Sequence, residues 1–271
     1  MTLPSLTSTS IVLVGAGNLA THLGKALFRQ GFPILQVYSR TEASARSLAE
    51  AVAAPSYTTS IEGITTDAAI YIAALKDDAL MQLKQQLTEG RRKALWLHTA
   101  GSLPLTVWEG CADRYGVLYP MQTFSKQREV DFRRIPIFWE SRLPEDGALL
   151  QQIASLLSPS VYEASSEQRK QLHLAAVLCC NFTNHLYALA AELLQRQKLP
   201  FEVMLPLIDE TARKVHELSP QTAQTGPAVR YDRTVIDTHL QMLEQQPDIQ
   251  QLYQLLTDSI HRKAERKSFI S

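Results

Sequence analysis

The sequence predicts an α/β protein, with a doubly wound, mainly parallel sheet first and an all-helical part after it. Three observations predict this. Short β-branched runs alternate with helical stretches through the first half, the rhythm of parallel crossover units. The first run, Ile11-Val12-Leu13-Val14, is continuously apolar, as a strand covered on both faces must be. From Ser165 onward strand signals fade and long helical periods replace them.

The elements follow in order. A helix is expected over 19–30, with Leu19, Leu23, Ala26 and Leu27 on one face and Gly31 as its stop. Strand 34–38 and helix 43–53 come next, then a buried strand over 68–74, a helix over 77–87 and a strand over 94–98. The stretch from 99 to 134 reads as rich in turns. Beyond it lie a strand over 135–139, a helix near 145–157 and a short strand near Val161. Helical patterns then cover 167–197, 200–218, 232–244 and 248–267, punctuated by Pro200, Pro220 and Pro247. The domain expectation is 1–164 for the α/β part and 165–271 for the helical part.

Composition excludes several classes. The chain has 271 residues, 45% of them hydrophobic and 20% charged, which is incompatible with a disordered or disulfide-stapled protein. Lys plus Arg and Asp plus Glu are each 27, so no basic excess points to nucleic acid. Cys111, Cys179 and Cys180 lack metal-ligand spacing, and no metal is expected. Their apolar neighbours suggest reduced core thiols in a cytoplasmic protein. Residues 1–10 carry no basic n-region, so no signal peptide is expected. The stretch 172–194 is apolar enough to raise a membrane span. His173, Asn181, Asn184, His185 and Glu192 interrupt it, which favours a buried helix. Asn181-Phe182-Thr183 matches a glycosylation sequon by chance.

Gly15-Ala16-Gly17-Asn18-Leu19-Ala20 directly follows the first strand and opens the first helix. Gly15 permits the tight turn, Gly17 admits a pyrophosphate close to the backbone, and Ala20 lets helix and strand pack closely. The free N–H groups and dipole of the helix then face the anion. In that context the pattern predicts a Rossmann dinucleotide site. An NAD-selective site would place an acid at the end of the second strand, for the ribose diol. Here the strand ends in Ser39-Arg40-Thr41, and no acidic residue precedes Glu42. A guanidinium and two hydroxyls suit a 2′-phosphate, so NADP is expected over NAD.

Ligands in such a sheet lie beyond the carboxyl ends of its strands. Ala74 and Lys76 follow the third predicted buried strand of this half, and His98 ends the next one. Gly101 and Ser102 are expected to line the nicotinamide pocket. His98 is read as a strand-end residue that bonds backbone, in preference to a proton donor. Tyr119, in a polar and aromatic turn, is a candidate proton donor, with packing at the domain interface as the equal alternative. Asn181, Asn184 and His185 share a helix face and need partners, either a substrate or a second copy of the chain. Arg230 can clamp a carboxylate or hold its loop by an ion pair, and Asp232 is expected to cap a helix starting at Arg233.

Four segments carry a resemblance: GAGNLA at 15–20, HTAGSLP at 98–104, YPMQTF at 119–124 and TGPAVRYD at 225–232. The chain resembles the Rossmann-like NADP oxidoreductases related to deazaflavin-dependent NADP oxidoreductase and pyrroline-5-carboxylate reductase. It is most similar to the branch with a helical C-terminal domain of unassigned function. That resemblance implies NADP, a small-molecule substrate in an interdomain cleft, and a homodimer through the helical domain. Tyr231 stands where that branch is expected to carry Gly. Related β-hydroxyacid dehydrogenases place a Lys four residues before a helical Asn, whereas Val177 and Cys180 occupy those positions here. Prephenate dehydrogenases carry a catalytic His before a similar Pro-Met turn, where this chain has Tyr119. The expectation is therefore an NADP(H)-dependent oxidoreductase of unassigned reaction, with Asn181, Tyr119 and Arg230 as substrate-handling residues. The alternative is an NADP(H)-binding sensor or scaffold without turnover.

Overall fold

The computed structural model describes residues 8–268. The first half alternates β1 (Ile11–Val14), α1 (Asn18–Arg29), β2 (Ile34–Tyr38), α2 (Glu42–Ala51), β3 (Ser56–Thr58), β4 (Ile70–Ala73), α3 (Asp77–Thr88) and β5 (Leu95–His98). Then come β6 (Arg114–Pro120), β7 (Ile137–Ser141), α4 (Pro144–Leu157), β8 (Val161–Glu163) and α5 (Ser166–Ala176). The strands form one sheet in the order β3-β2-β1-β4-β5-β6-β7-β8. All neighbours are parallel except β6 and β7. A parallel return needs a crossover, usually a helix. The link between β6 and β7 holds only a short 3-10 turn, Phe132–Arg134, and β7 comes back antiparallel.

Strand β1 explains why its sequence is apolar throughout. Ile11 and Leu13 pack with Leu23, Leu27 and Ile153 on one face, while Val12 and Val14 pack with Leu80, Leu87 and Trp96 on the other. Gly24 brings α1 tight against this strand, because a Cβ there would lie 2.5 Å from Leu13 Cδ1. Asp146, fully buried in α4, is neutralised by Arg114 of β6.

Two strands escape the sequence reading. β3 is short and partly exposed. β6 lies inside the stretch read as turns, so Tyr119 belongs to a strand and not to a turn. Gly116 explains the miss. In sequence it reads as a breaker, yet a Cβ there would stand 2.8 Å from both Glu140 O and Leu150 Cδ1.

The chain divides into two compact units, 1–181 and 182–271. Helix α5 belongs to the first. It begins with Ser165 in a capping box with Gln168, and a π-helical segment, Val177–Phe182, follows it. The second unit comprises α6 (Thr183–Arg196), α7 (Leu205–Glu217), α8 (Pro220–Ala223), α9 (Pro227–Arg230), α10 (Arg233–Met242) and α11 (Pro247–Ser268). Asp232 caps α10 as expected, accepting from the Val235 N–H.

Burial corrects one set of expectations. The helical run 166–196 has none of its apolar window buried in the single chain, so it is not a buried helix. Its length and composition would suffice to cross a membrane. Cys179 and Cys180 are exposed and only Cys111 is a core thiol, against the expectation for all three. Within the second unit Ile236, Leu243 and Thr257 are buried, whereas Leu186, Leu199, Leu205, Leu207, Val215 and Leu218 are exposed.

Candidate functional site

The site grows from the carboxyl ends of the parallel strands. Gly15 has φ of 117°, and its Cβ would lie 2.5 Å from the Ala74 carbonyl oxygen. Only glycine fits there, and the two loops that follow β1 and β4 meet at this point. Ala16 is buried behind the turn. Gly17 is the N-cap of α1, and a Cβ on it would meet nothing within 4 Å. That opening lies beside the first N–H groups of a twelve-residue helix, the geometry that receives a phosphate. Asn18 opens the helix and its amide donates to the Phe124 carbonyl at 2.9 Å. Leu19 packs against the core. The loop after β6 is thus tied to the glycine turn, and His22 Nε2, 2.9 Å from Ser125 O, adds a second tie.

At the end of β2, Ser39 is held by its N–H to the Thr58 carbonyl, 3.2 Å away. Thr41 is the N-cap of α2 and its hydroxyl donates to Ser44 at 2.9 Å. Arg40 is exposed, and its guanidinium has no hydrogen bond or ion pair among the described residues. The nearest acid downstream, Glu42, is already occupied. Arg46 donates to it at 2.7 Å and the Tyr57 hydroxyl at 3.3 Å. A free cation beside a neutralised carboxylate is electrostatically suited to a phosphate. Arg46 was not legible as part of this arrangement, because its pairing with Glu42 and Tyr57 needs β3 in place.

The loops after β4 and β5 also converge. Lys76 is exposed and is the N-cap residue of α3, and Ser102 donates its hydroxyl to Asp77 in the first turn of that helix. His98 is fully buried, and its Nδ1 accepts from the Ala100 N–H at 3.2 Å, the backbone role expected of it. Burial lowers its pKa to about 3, with the Arg169 charge acting in the same direction. It is therefore a neutral imidazole that fixes the start of the loop.

Arg169, from α5, holds the rest of that loop. Its buried guanidinium donates to the Ala100 and Leu103 carbonyls at 3.0 and 2.7 Å and to Glu140 at 2.6 Å. Glu140 also accepts from the N–H and hydroxyl of Ser166. Gly101 is clamped as a result. A Cβ there would stand 2.9 Å from His173 Cβ, His173 Nδ1 and Tyr119 Cζ alike. Tyr119 is buried at the end of β6, with its hydroxyl 3.3 Å from His173 Nδ1. Burial raises the Tyr119 pKa; Arg169 opposes this and Cys180 adds to it.

The structure therefore gathers Gly15 to Leu19 with Ala74, and separately Gly101 with Tyr119. Asn181 lies in the π-helical segment and is exposed. Arg230 ends α9 in the second unit. There Tyr231 adopts a left-handed φ of 51°. Its ring stacks on His261 at 4.1 Å, and the Arg233 guanidinium lies 4.2 Å from its centroid. Those contacts hold a tyrosine where glycine is the unstrained choice.

Comparison with known proteins adds family and fold. Residues 1–96 match the family model for shikimate / quinate 5-dehydrogenase, and residues 135–260 match a domain of unknown function, DUF2520. No curated protein sequence matches the chain. A Bacteroides fragilis protein described as a putative NADP oxidoreductase is 63% identical, over 95% of this chain and 100% of that one, with a TM-score of 0.92. A Thermotoga maritima protein is 21% identical over 94% and 99% of the two chains, at a TM-score of 0.79. Pyrroline-5-carboxylate reductase from Coxiella burnetii is 16% identical over 96% and 98%, at 0.56. The last two share the fold.

Proposed function

The chain belongs to the family of the Bacteroides fragilis protein, and from that premise we propose that it is a cytoplasmic NADP(H)-dependent oxidoreductase acting on a small metabolite. The observation that carries the reading is the pairing of two features along one sheet edge. One is a glycine turn with open space at Gly17; the other is an uncommitted Arg40 beside a neutralised Glu42. The residues present fit the cofactor. Gly15 to Leu19 would hold its pyrophosphate, Ser39, Arg40 and Thr41 its 2′-phosphate, and Ala74, Lys76, Gly101 and Ser102 its nicotinamide half.

When bound, NADPH supplies the hydride. The chain supplies placement and a proton. Tyr119 Oη donates the proton to the atom that gains negative charge as the substrate is reduced. Asn181 orients the substrate, and Arg230 is the candidate of the second unit for binding an anionic group. Calorimetric titration with NADP and NAD, in both redox states, tests the cofactor. NADP is expected to bind at least tenfold more tightly, and Arg40→Ala to erase the difference. Absence of binding by either nucleotide would refute the reading. Tight NADPH binding without oxidation, across a panel of carbonyl and imine compounds, would favour a sensor.

The same proposal includes a homodimer through the helical part. Leu186, Leu205 and Leu207 are exposed in a unit with few buried apolar side chains. A second copy of the chain supplies the missing cover at no cost in charge, since the net charge is zero. Light scattering after gel filtration is expected to give twice the chain mass, and Leu207→Glu to shift it towards the monomer. A monomeric native protein would refute this part.

A further inference from the structure

We propose that His173 is the proton relay of Tyr119, carrying solvent protons to the phenolic oxygen through its Nδ1. This rests on the oxidoreductase reading and adds the route by which its proton donor is reloaded.

Three observations converge. The Tyr119 hydroxyl and His173 Nδ1 are 3.3 Å apart although the residues come from different elements, β6 and α5. The rings meet edge to face, with centroids 6.4 Å apart and planes inclined at 68°. Gly101 is pressed against both at once, and any Cβ at that position would intrude on the pair. The loop that fixes Gly101 is itself held by Arg169 and His98. The pair is therefore built by the surrounding structure and does not arise from two mobile surface side chains.

The burial of the two partners differs in the way a relay needs. Tyr119 is 8% exposed, so its oxygen has restricted access to bulk water. His173 is exposed and can exchange protons with solvent. The groups that act on the phenol are Arg169 and Cys180, together with His173 itself. Arg169 is neutralised by Glu140. Of these groups, the geometry joins His173 to the phenol oxygen.

The step balances as follows. When bound, the reduced nicotinamide would supply a hydride to the electrophilic carbon of a C=O or C=N group. The π pair moves to oxygen or nitrogen, which takes the proton from Tyr119 Oη. The phenolate then takes the Nδ1 proton of His173 while Nε2 takes one from water. The net proton comes from solvent; Tyr119 returns to the phenol, and His173, left as its Nε2–H tautomer, regains Nδ1–H by taking a solvent proton there and releasing the one at Nε2.

The test reads the pair without needing a substrate. Phenolate absorbance is followed against pH in the wild type, His173→Phe and His173→Gln, with Tyr119→Phe as the baseline that isolates this tyrosine. Losing a donor to the phenolate is expected to raise the Tyr119 midpoint by about one pH unit in His173→Phe, and the Gln amide to restore part of it. An unmoved midpoint in folded His173→Phe overturns the proposal. Turnover with NADPH and a panel of 2-oxo acids and cyclic imines separates relay from orientation. His173→Phe and His173→Gln are both expected to lose tenfold or more in kcat with smaller changes in KM, because an amide cannot shuttle a proton. Recovery of kcat by His173→Gln overturns the relay. No turnover by the wild type, with the midpoint still shifted, counts against the oxidoreductase reading and not against the coupling of the pair.

Discussion

Acid should destabilise the first unit through His98, and the size of the effect follows from its environment. The side chain is fully buried and its pKa falls from 6.5 to about 3, chiefly through burial, with the Arg169 charge adding to it. In the unfolded chain the same imidazole protonates near pH 6.5. Between those values the unfolded state binds a proton that the folded state refuses, so stability is fully present above pH 6.5 and falls as pH drops towards 3. Moving from pH 7 to pH 4 should cost about 3 kcal/mol from this group alone, at 1.36 kcal/mol per pKa unit. His98→Asn keeps an acceptor for the Ala100 N–H and removes the titration. Urea unfolding at both pH values, followed by the tryptophans of the first unit, measures the difference. The wild type should lose about 3 kcal/mol more than the variant over that interval. Equal losses would mean that His98 is protonated in the folded protein and that its burial has been misread.

Two further predictions concern backbone positions. Gly15→Ala combines a forbidden φ with a Cβ 2.5 Å from the Ala74 carbonyl oxygen. It should cost at least about 2 kcal/mol in urea unfolding and abolish nucleotide binding in calorimetry. Binding at wild-type strength would contradict the phosphate-turn assignment. At Tyr231, Ala loses the ring contacts but keeps the left-handed strain, whereas Gly loses the contacts and relieves it. Tyr231→Gly should therefore be more stable than Tyr231→Ala by about 1 kcal/mol, and both less stable than the wild type. A more stable Ala variant would show that the stacked ring is not what offsets the strain.

The phosphate turn was legible because its cause is local. Gly15, Gly17 and the amphipathic helix after them lie within one strand–turn–helix unit, and the helix duly runs Asn18–Arg29. The capping residue Asp232 was readable for the same reason. Strand β6 was not, because Gly116 is required by the approach of Glu140 and Leu150, and that approach exists only after the sheet has formed. The helix over 166–196 misled in the opposite sense. Its apolar content suggested burial, but hydropathy reports what a side chain prefers to touch and not whether this chain covers it.

The sequence by itself determined the α/β order, the glycine turn and the chemistry of Ser39, Arg40 and Thr41, since each depends on neighbours within a few residues. Only the tertiary structure decided that Glu42 is taken by Arg46 and Tyr57, that Gly101 must be glycine, and that Tyr119 meets His173. Tyr119 and His173 lie 54 positions apart in the chain. No local period relates them; β6 and α5 must both be placed before the two rings have a common edge.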